Sequence, residues 1–159
     1  MLAQGTILCW VEIVDPDEEG RFRKWDITPE ESKDYEVRLS VFETANAPML
    51  DAEGTSDVFV RAWMEGQMKD KKETDTHWRC TTGEASFNWR LLLNFQSPCR
   101  KMPEKDAYKL QIQVFDRDLL TSNELICHYE IDLKLLVDDC RITQNQSHLS
   151  KEYWNSHMK

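Results

Sequence analysis

Three carboxylates crowd one short stretch of this chain. Asp116 and Asp118 stand two residues apart, and Glu124 closes the run Val114-Phe115-Asp116-Arg117-Asp118-Leu119-Leu120-Thr121-Ser122-Asn123-Glu124. Carboxylates this close repel one another unless something positive sits among them. Hard oxygen donors in a flexible loop suit calcium better than zinc or copper. A second acidic loop, Leu50-Asp51-Ala52-Glu53-Gly54-Thr55-Ser56-Asp57, lies upstream and also opens onto a strand pattern. The two loops are expected to meet in space and share calcium, with Glu53 a solvated neighbour.

The elements that must position these loops are strands. Leu110, Ile112 and Val114 alternate with Gln111 and Gln113 and run into the first carboxylates, the period of a half-buried strand. Tyr35, Val37, Leu39 and Val41 do the same, and Val58, Val60 and Ala62 alternate with Phe59, Arg61 and Trp63. Phe87, Trp89, Leu91, Leu93 and Phe95 form the longest alternation, and Leu92 on its opposite face predicts a central strand. Further strands are expected over residues 5–13, 74–80 and 125–133, with a short helical turn over 135–140. Seven or eight short strands and almost no helix predict an all-β antiparallel sandwich. Residues 33–135 read as its core, 1–32 as a lead-in segment or edge strand, and 136–159 as a C-terminal segment or linker.

The 159 residues suit one domain, and the formal net charge of -9 argues against general nucleic-acid binding. A membrane role stays open, because bound cations cancel local negative charge. No apolar run approaches the length of a transmembrane helix, and residues 1–20 show no signal-peptide pattern. Cys9, Cys80, Cys99, Cys127 and Cys140 are odd in number and scattered, without a CxxC pair. That pattern indicates reduced thiols in a cytosolic setting. His77 and His128 have no partner at metal spacing and read as structural, and the tryptophans as packing residues. No catalytic triad, nucleophile elbow or phosphate-cradling glycine loop is present. The chain is not expected to be an enzyme.

Leu50-Asp51, Gly54-Thr55-Ser56-Asp57-Val58-Phe59-Val60, Val114-Phe115-Asp116-Arg117-Asp118 and Asn123-Glu124-Leu125-Ile126 together resemble a C2 domain. Gly5-Thr6-Ile7-Leu8-Cys9-Trp10-Val11-Glu12-Ile13, Asp26-Ile27-Thr28-Pro29, Ser56 to Trp63, Lys72 to His77 and Gly83 to Arg90 look like one of the later C2 domains of ferlins. Ferlins are large, tail-anchored, multi-C2 proteins of vesicle fusion and membrane repair. The resemblance implies an antiparallel, eight-stranded Greek-key β-sandwich acting as a calcium-dependent phospholipid-binding module. It places the calcium ligands on Asp51, Asp57, Asp116, Asp118 and Glu124, where the last position is usually aspartate. The implied setting is the cytoplasmic face of a membrane, with this fragment soluble and its parent anchored. The alternative is a calcium-insensitive scaffold that binds other domains of the parent or proteins of the fusion machinery.

Met49, Leu50, Leu119 and Leu120 sit at the tips of the two acidic loops, where they are candidates to enter an anionic phospholipid membrane once calcium binds. The burial of one such side chain contributes roughly 1.5–3 kcal/mol. Lys69, Lys71 and Lys72 are candidates for lipid headgroups, each contributing about 1 kcal/mol near an anionic surface. Asp70, Glu73 and Asp75 dilute that patch, and an ordinary charged edge explains it better.

Overall fold

The computed structural model describes residues 31–51, 53–98, 102–118 and 122–147, together with Ile7, Cys9, Val11, Ile13, Asp15, Asp17 and Thr28. The chain divides into two units, Met1–Glu30 and Glu31–Lys159. In the first, most of the strand expected over residues 5–13 lies outside the described residues. Ile7, Cys9, Val11 and Ile13, which are described, are in no strand and are exposed. Trp10 and Trp25 also lie outside them.

The second unit is a β-sandwich. Its strands are β1 (Lys33–Thr44), β2 (Ser56–Met64), β3 (Lys72–Glu73), β4 (His77–Cys80), β5 (Ala85–Ser97), β6 (Lys109–Asp116) and β7 (Glu124–Asp132). Two short α-helices, α1 (Glu104–Ala107) and α2 (Lys134–Thr143), and a 3-10 turn at Met68–Asp70 complete its described elements. The described residues thus hold seven strands, against the eight implied by the resemblance. One sheet is β1 paired with β5, and the other has the order β3-β2-β6-β7, with β4 also pairing β2; every pairing is antiparallel.

Alternating apolar residues from both sheets meet in the middle. Val58, Val60, Ala62, Leu110, Ile112, Val114 and Ile131 come from the larger sheet, and Phe87, Leu91, Leu93 and Phe95 from the smaller. Removing that apolar area from water holds the layers together, at roughly 25 cal/mol per Å². α2 outlasts the turn expected over 135–140 and carries Val137 into this core, ending where Gln144 adopts a left-handed conformation (φ 56°).

Two expectations change. β5 is not a central strand: among the described residues its one hydrogen-bonded neighbour is β1, and Leu92 is 44% exposed. Alternation reports which faces are apolar and carries no count of neighbouring strands. A bulge opposite Phe42, with Asn88 at φ 47°, also interrupts the pattern, and Trp89 beside it is half-exposed. The strand expected over 74–80 is shorter, β4 covering only its second half, and β3 precedes it at Lys72–Glu73. Thr74 fills the gap, its N–H donating to the Val60 carbonyl (2.9 Å) and its Oγ1 accepting the Val60 N–H (3.0 Å).

Candidate metal and membrane site

The pairing brings three loops to one end of the sandwich. β2 and β6 are antiparallel, so β2 begins where β6 ends; Val58 faces Asp116, and Asp116 in turn faces Glu124 on β7. Ser56 pairs with Cys80, and Thr44 with Ala85, which puts the 81–84 connection at this end too. The first loop (45–55), the second (81–84) and the third (117–123) therefore share one rim. The Ala47 N–H donates to the Gly83 carbonyl at 2.9 Å and ties the first loop to the second. Gly83 has φ +75°, and a Cβ there would stand 2.5 Å from the Ala47 carbonyl oxygen, so a side chain is excluded.

Hydrogen bonds hold the carboxylates of Asp51, Asp57 and Asp116. Ser56, fully buried, accepts the Leu50 N–H (2.9 Å) and donates to the Pro48 carbonyl (3.0 Å), bracing the first loop from within. Inside that brace the Asp51 and Thr55 backbones bond at 3.1 Å, and Thr55 Oγ1 donates to Asp51 Oδ2 (3.2 Å). Asp57 is the junction: its N–H donates to Asp116 Oδ1 (2.6 Å), its Oδ1 accepts the Arg79 N–H (2.7 Å), and its carbonyl accepts the Arg117 N–H (2.8 Å). Arg79 reaches it from a left-handed backbone conformation (φ 56°), uncommon for a residue with a side chain. In the third loop the Asp118 N–H donates to Asn123 Oδ1 at 3.2 Å. Ser56, Arg79 and Arg117 carry no sequence signal for these roles, because the bonds run through backbone groups or span distant residues.

Asp116 is 2% exposed, Asp51, Asp57 and Asp118 are half-buried, and Glu124 is exposed. Among the described residues none of these five carboxylates has an ion-pair partner, while Glu36, Glu73, Asp106, Glu130 and Asp138 elsewhere do. Carboxylates without ion-pair partners among the described residues, offering oxygen donors, are chemistry suited to a hard divalent ion. The side chains do not close a cage by themselves: among the described residues no three His, Cys, Asp or Glu groups converge enough to hold a metal. Asp57 and Asp116 each give one oxygen to a backbone N–H, so calcium would draw on what remains of their carboxylates.

Met49 and Leu50 are 44% and 40% exposed on the first loop. Leu119 and Leu120 lie outside the described residues. Lys69, Lys71 and Lys72 are exposed but sit elsewhere: Lys72 pairs with Ala62, six residues along β2 from Ser56 and about 20 Å away at strand rise. Lys71 also has Glu73 within 3.8 Å.

A separate polar cluster lines the outer face of the larger sheet. The buried Gln111 amide donates to Glu65 and Glu130, both at 2.8 Å, so its oxygen faces His128 Nε2 (2.6 Å), which must carry the proton. His128 is thus tied through Nε2 to this cluster, with its side chain otherwise exposed. Hydrogen bonds from Lys109, then from Gln111, hold the Glu130 carboxyl below its ordinary pKa, and the same Glu130 contact raises Lys109.

A model of the C2 domain family matches residues 35–149. The chain belongs to the C2 domain family. It is therefore a non-catalytic module by kind. The match runs through α2, beyond residue 135. The chain is 29% identical over 161 residues to Fer-1-like protein 4 of Mus musculus, covering 88% of this chain and 8% of that protein. It is 26% identical to myoferlin of Xenopus tropicalis over 152 residues (83% of this chain, 8% of that one) and to myoferlin of Homo sapiens over 153 (84% and 7%). The ferlin resemblance is thus supported over most of the chain, which spans less than a tenth of the length of these relatives. Among solved structures, a C2 domain of RIM from Drosophila matches with a TM-score of 0.48 at 14% identity, over 62% of this chain and 75% of that one. Among the described residues no helix of this C2 domain is long and apolar enough to cross a membrane.

Proposed function

We propose that this C2 domain is a calcium-dependent phospholipid-binding module of a ferlin-like protein of membrane fusion or vesicle trafficking, working at the cytoplasmic face of a membrane. One observation carries the reading: the fold gathers Asp51, Asp57, Asp116, Asp118 and Glu124 onto one rim and gives none of them an ion-pair partner among the described residues. The rim repels an anionic bilayer when bare. Bound calcium supplies positive charge there, and oxygens of lipid phosphates complete its shell. Asp57 and Asp116 are the inner ligands, Asp51 and Asp118 flank them, and Glu124 is the outermost. Met49 and Leu50, with Leu119 and Leu120 from the third loop, supply apolar tips. This is an electrostatic switch rather than a large change of shape.

The rival reading is a calcium-insensitive module for protein partners, such as neighbouring domains of the parent. It draws on the Asp57 and Asp116 hydrogen bonds, which give both carboxylates a structural task without metal. Co-sedimentation with phosphatidylserine-containing liposomes across a calcium series separates the two, alongside calorimetric titration with calcium alone. The switch predicts binding in millimolar calcium and none in chelator. Equal binding in both conditions, or none in either, gives the rival its place.

A further inference from the structure

Arg117 stands between two of the proposed calcium ligands, Asp116 and Asp118, where a free cation would be drawn to them. It is turned away instead. Its guanidinium lies 4.2 Å over the ring of Phe59, and its terminal nitrogen is 3.4 Å from Glu73 Oε2. Phe59 is wholly buried on this outer face of β2, although it alternates with the core residues, because other groups roof it. Phe115 stacks on it at 5.5 Å, and Arg61 lies 4.5 Å over Phe115 while donating Nε to Glu73 Oε1 at 2.8 Å. Arg117 is therefore anchored twice: its backbone N–H to the Asp57 carbonyl at 2.8 Å, and its side chain to Phe59 on β2 and Glu73 on β3.

The anchor has a cost, since Arg117 Nε is buried with no hydrogen-bond partner; the ion pair itself is 30% and 29% exposed on its two sides, so the Phe59 ring face is the less replaceable arm. A planar guanidinium over an aromatic face is also a contact that lysine does not reproduce. We propose that Arg117 is a positioning residue for the third loop. By clamping the chain to the outer face of β2 and β3, it fixes the backbone on which Asp116 and Asp118 stand, and so sets the calcium affinity of the rim; the calcium part rests on the function proposed above.

Charge alone makes the opposite forecast, and this makes the idea testable. Removing a positive residue beside a cation site should tighten calcium binding, whereas removing a clamp should weaken it. The experiment takes the whole 159-residue chain as wild type, Arg117→Ala and Arg117→Lys. Each is titrated with calcium by calorimetry, and amide hydrogen exchange is followed in chelator. Arg117→Ala is expected to lower calcium affinity at least fivefold and to speed exchange at the Arg117 amide at least tenfold, with the amides of β5 unchanged. Arg117→Lys should behave like the alanine variant despite keeping its charge. Glu73→Gln, which removes one arm of the clamp, is expected to fall between, and it replaces Arg117→Ala as the test if that variant does not fold. Calcium binding as tight as wild type, or tighter, in the alanine variant overturns the proposal, and so does wild-type exchange in the third loop. A wild-type chain that ignores calcium would sink the calcium reading instead, leaving the exchange measurement to decide the clamp.

Discussion

Asp116 holds two posts at once, and replacing it in two ways separates them. Its buried carboxylate accepts the Asp57 N–H at 2.6 Å, joining the start of β2 to the end of β6. A hydrogen bond to a charged group contributes about 1.5–3 kcal/mol, and a neutral one about 0.5–1.5. Asp116→Asn keeps an acceptor oxygen there and gives up only the charge assistance, about 1 kcal/mol by difference. Relief of repulsion from neighbouring carboxylates offsets part of that. Asp116→Ala leaves the Asp57 N–H without its acceptor, at a cost of about 1–3 kcal/mol. Melting in chelator should thus place the asparagine variant within about 4 °C of wild type and the alanine variant lower, at about 2–4 °C per kcal/mol for a chain of this size. Calcium adds the second reading. If it binds at the affinity of a sensor site, excess calcium at 100 times Kd stabilises the wild type by about 2.7 kcal/mol. Both variants should lose most of that increment. Alanine melting like wild type in chelator would refute the structural argument, and a full calcium increment in Asp116→Asn would refute the ligand assignment.

Met49→Ser with Leu50→Ser should leave calcium binding in solution near wild type. It should weaken liposome binding in saturating calcium roughly 30-fold, since the exposed part of each side chain is worth about 1 kcal/mol on burial, as co-sedimentation will show. Neutralising Lys69, Lys71 and Lys72 together should change calorimetric calcium affinity less than twofold, because β2 separates them from the rim. Gly83→Ala must strain a φ of +75° and press on the Ala47 carbonyl, so a loss of about 2 kcal/mol or more is expected in a denaturant melt. Glu130 has a folded pKa below its unfolded one, so its contribution is present above the unfolded carboxylate range, near 4.3, and is lost as pH falls through the folded value. Glu130→Gln should therefore be less stable than wild type at neutral pH, and the gap should close on acidification, as urea melts at pH 7 and pH 3 will test.

The sequence by itself determined the longer strands of the second unit. A period of two in Tyr35 to Val41, Val58 to Ala62 and Leu110 to Val114 follows from one face meeting apolar neighbours, and that information is local. The acidic loops were legible for the same reason: Asp51, Asp57, Asp116, Asp118 and Glu124 lie where those patterns end, and antiparallel pairing of β2 with β6 was enough to bring their ends together. The tertiary structure alone decided the rest. Leu92 suggested a central strand, yet β5 has β1 as its one described neighbour, since hydrogen-bonded pairing involves backbone groups that every residue carries. Phe59 is buried on the face opposite the core because Phe115, Arg61 and Arg117 help cover it, Arg117 from 58 residues along the chain. Arg117 itself read only as the residue between two aspartates. Its turn away from them, toward Phe59 and Glu73, depends on β2 and β3 lying alongside the third loop, and no local pattern encodes contacts between segments that meet only on folding.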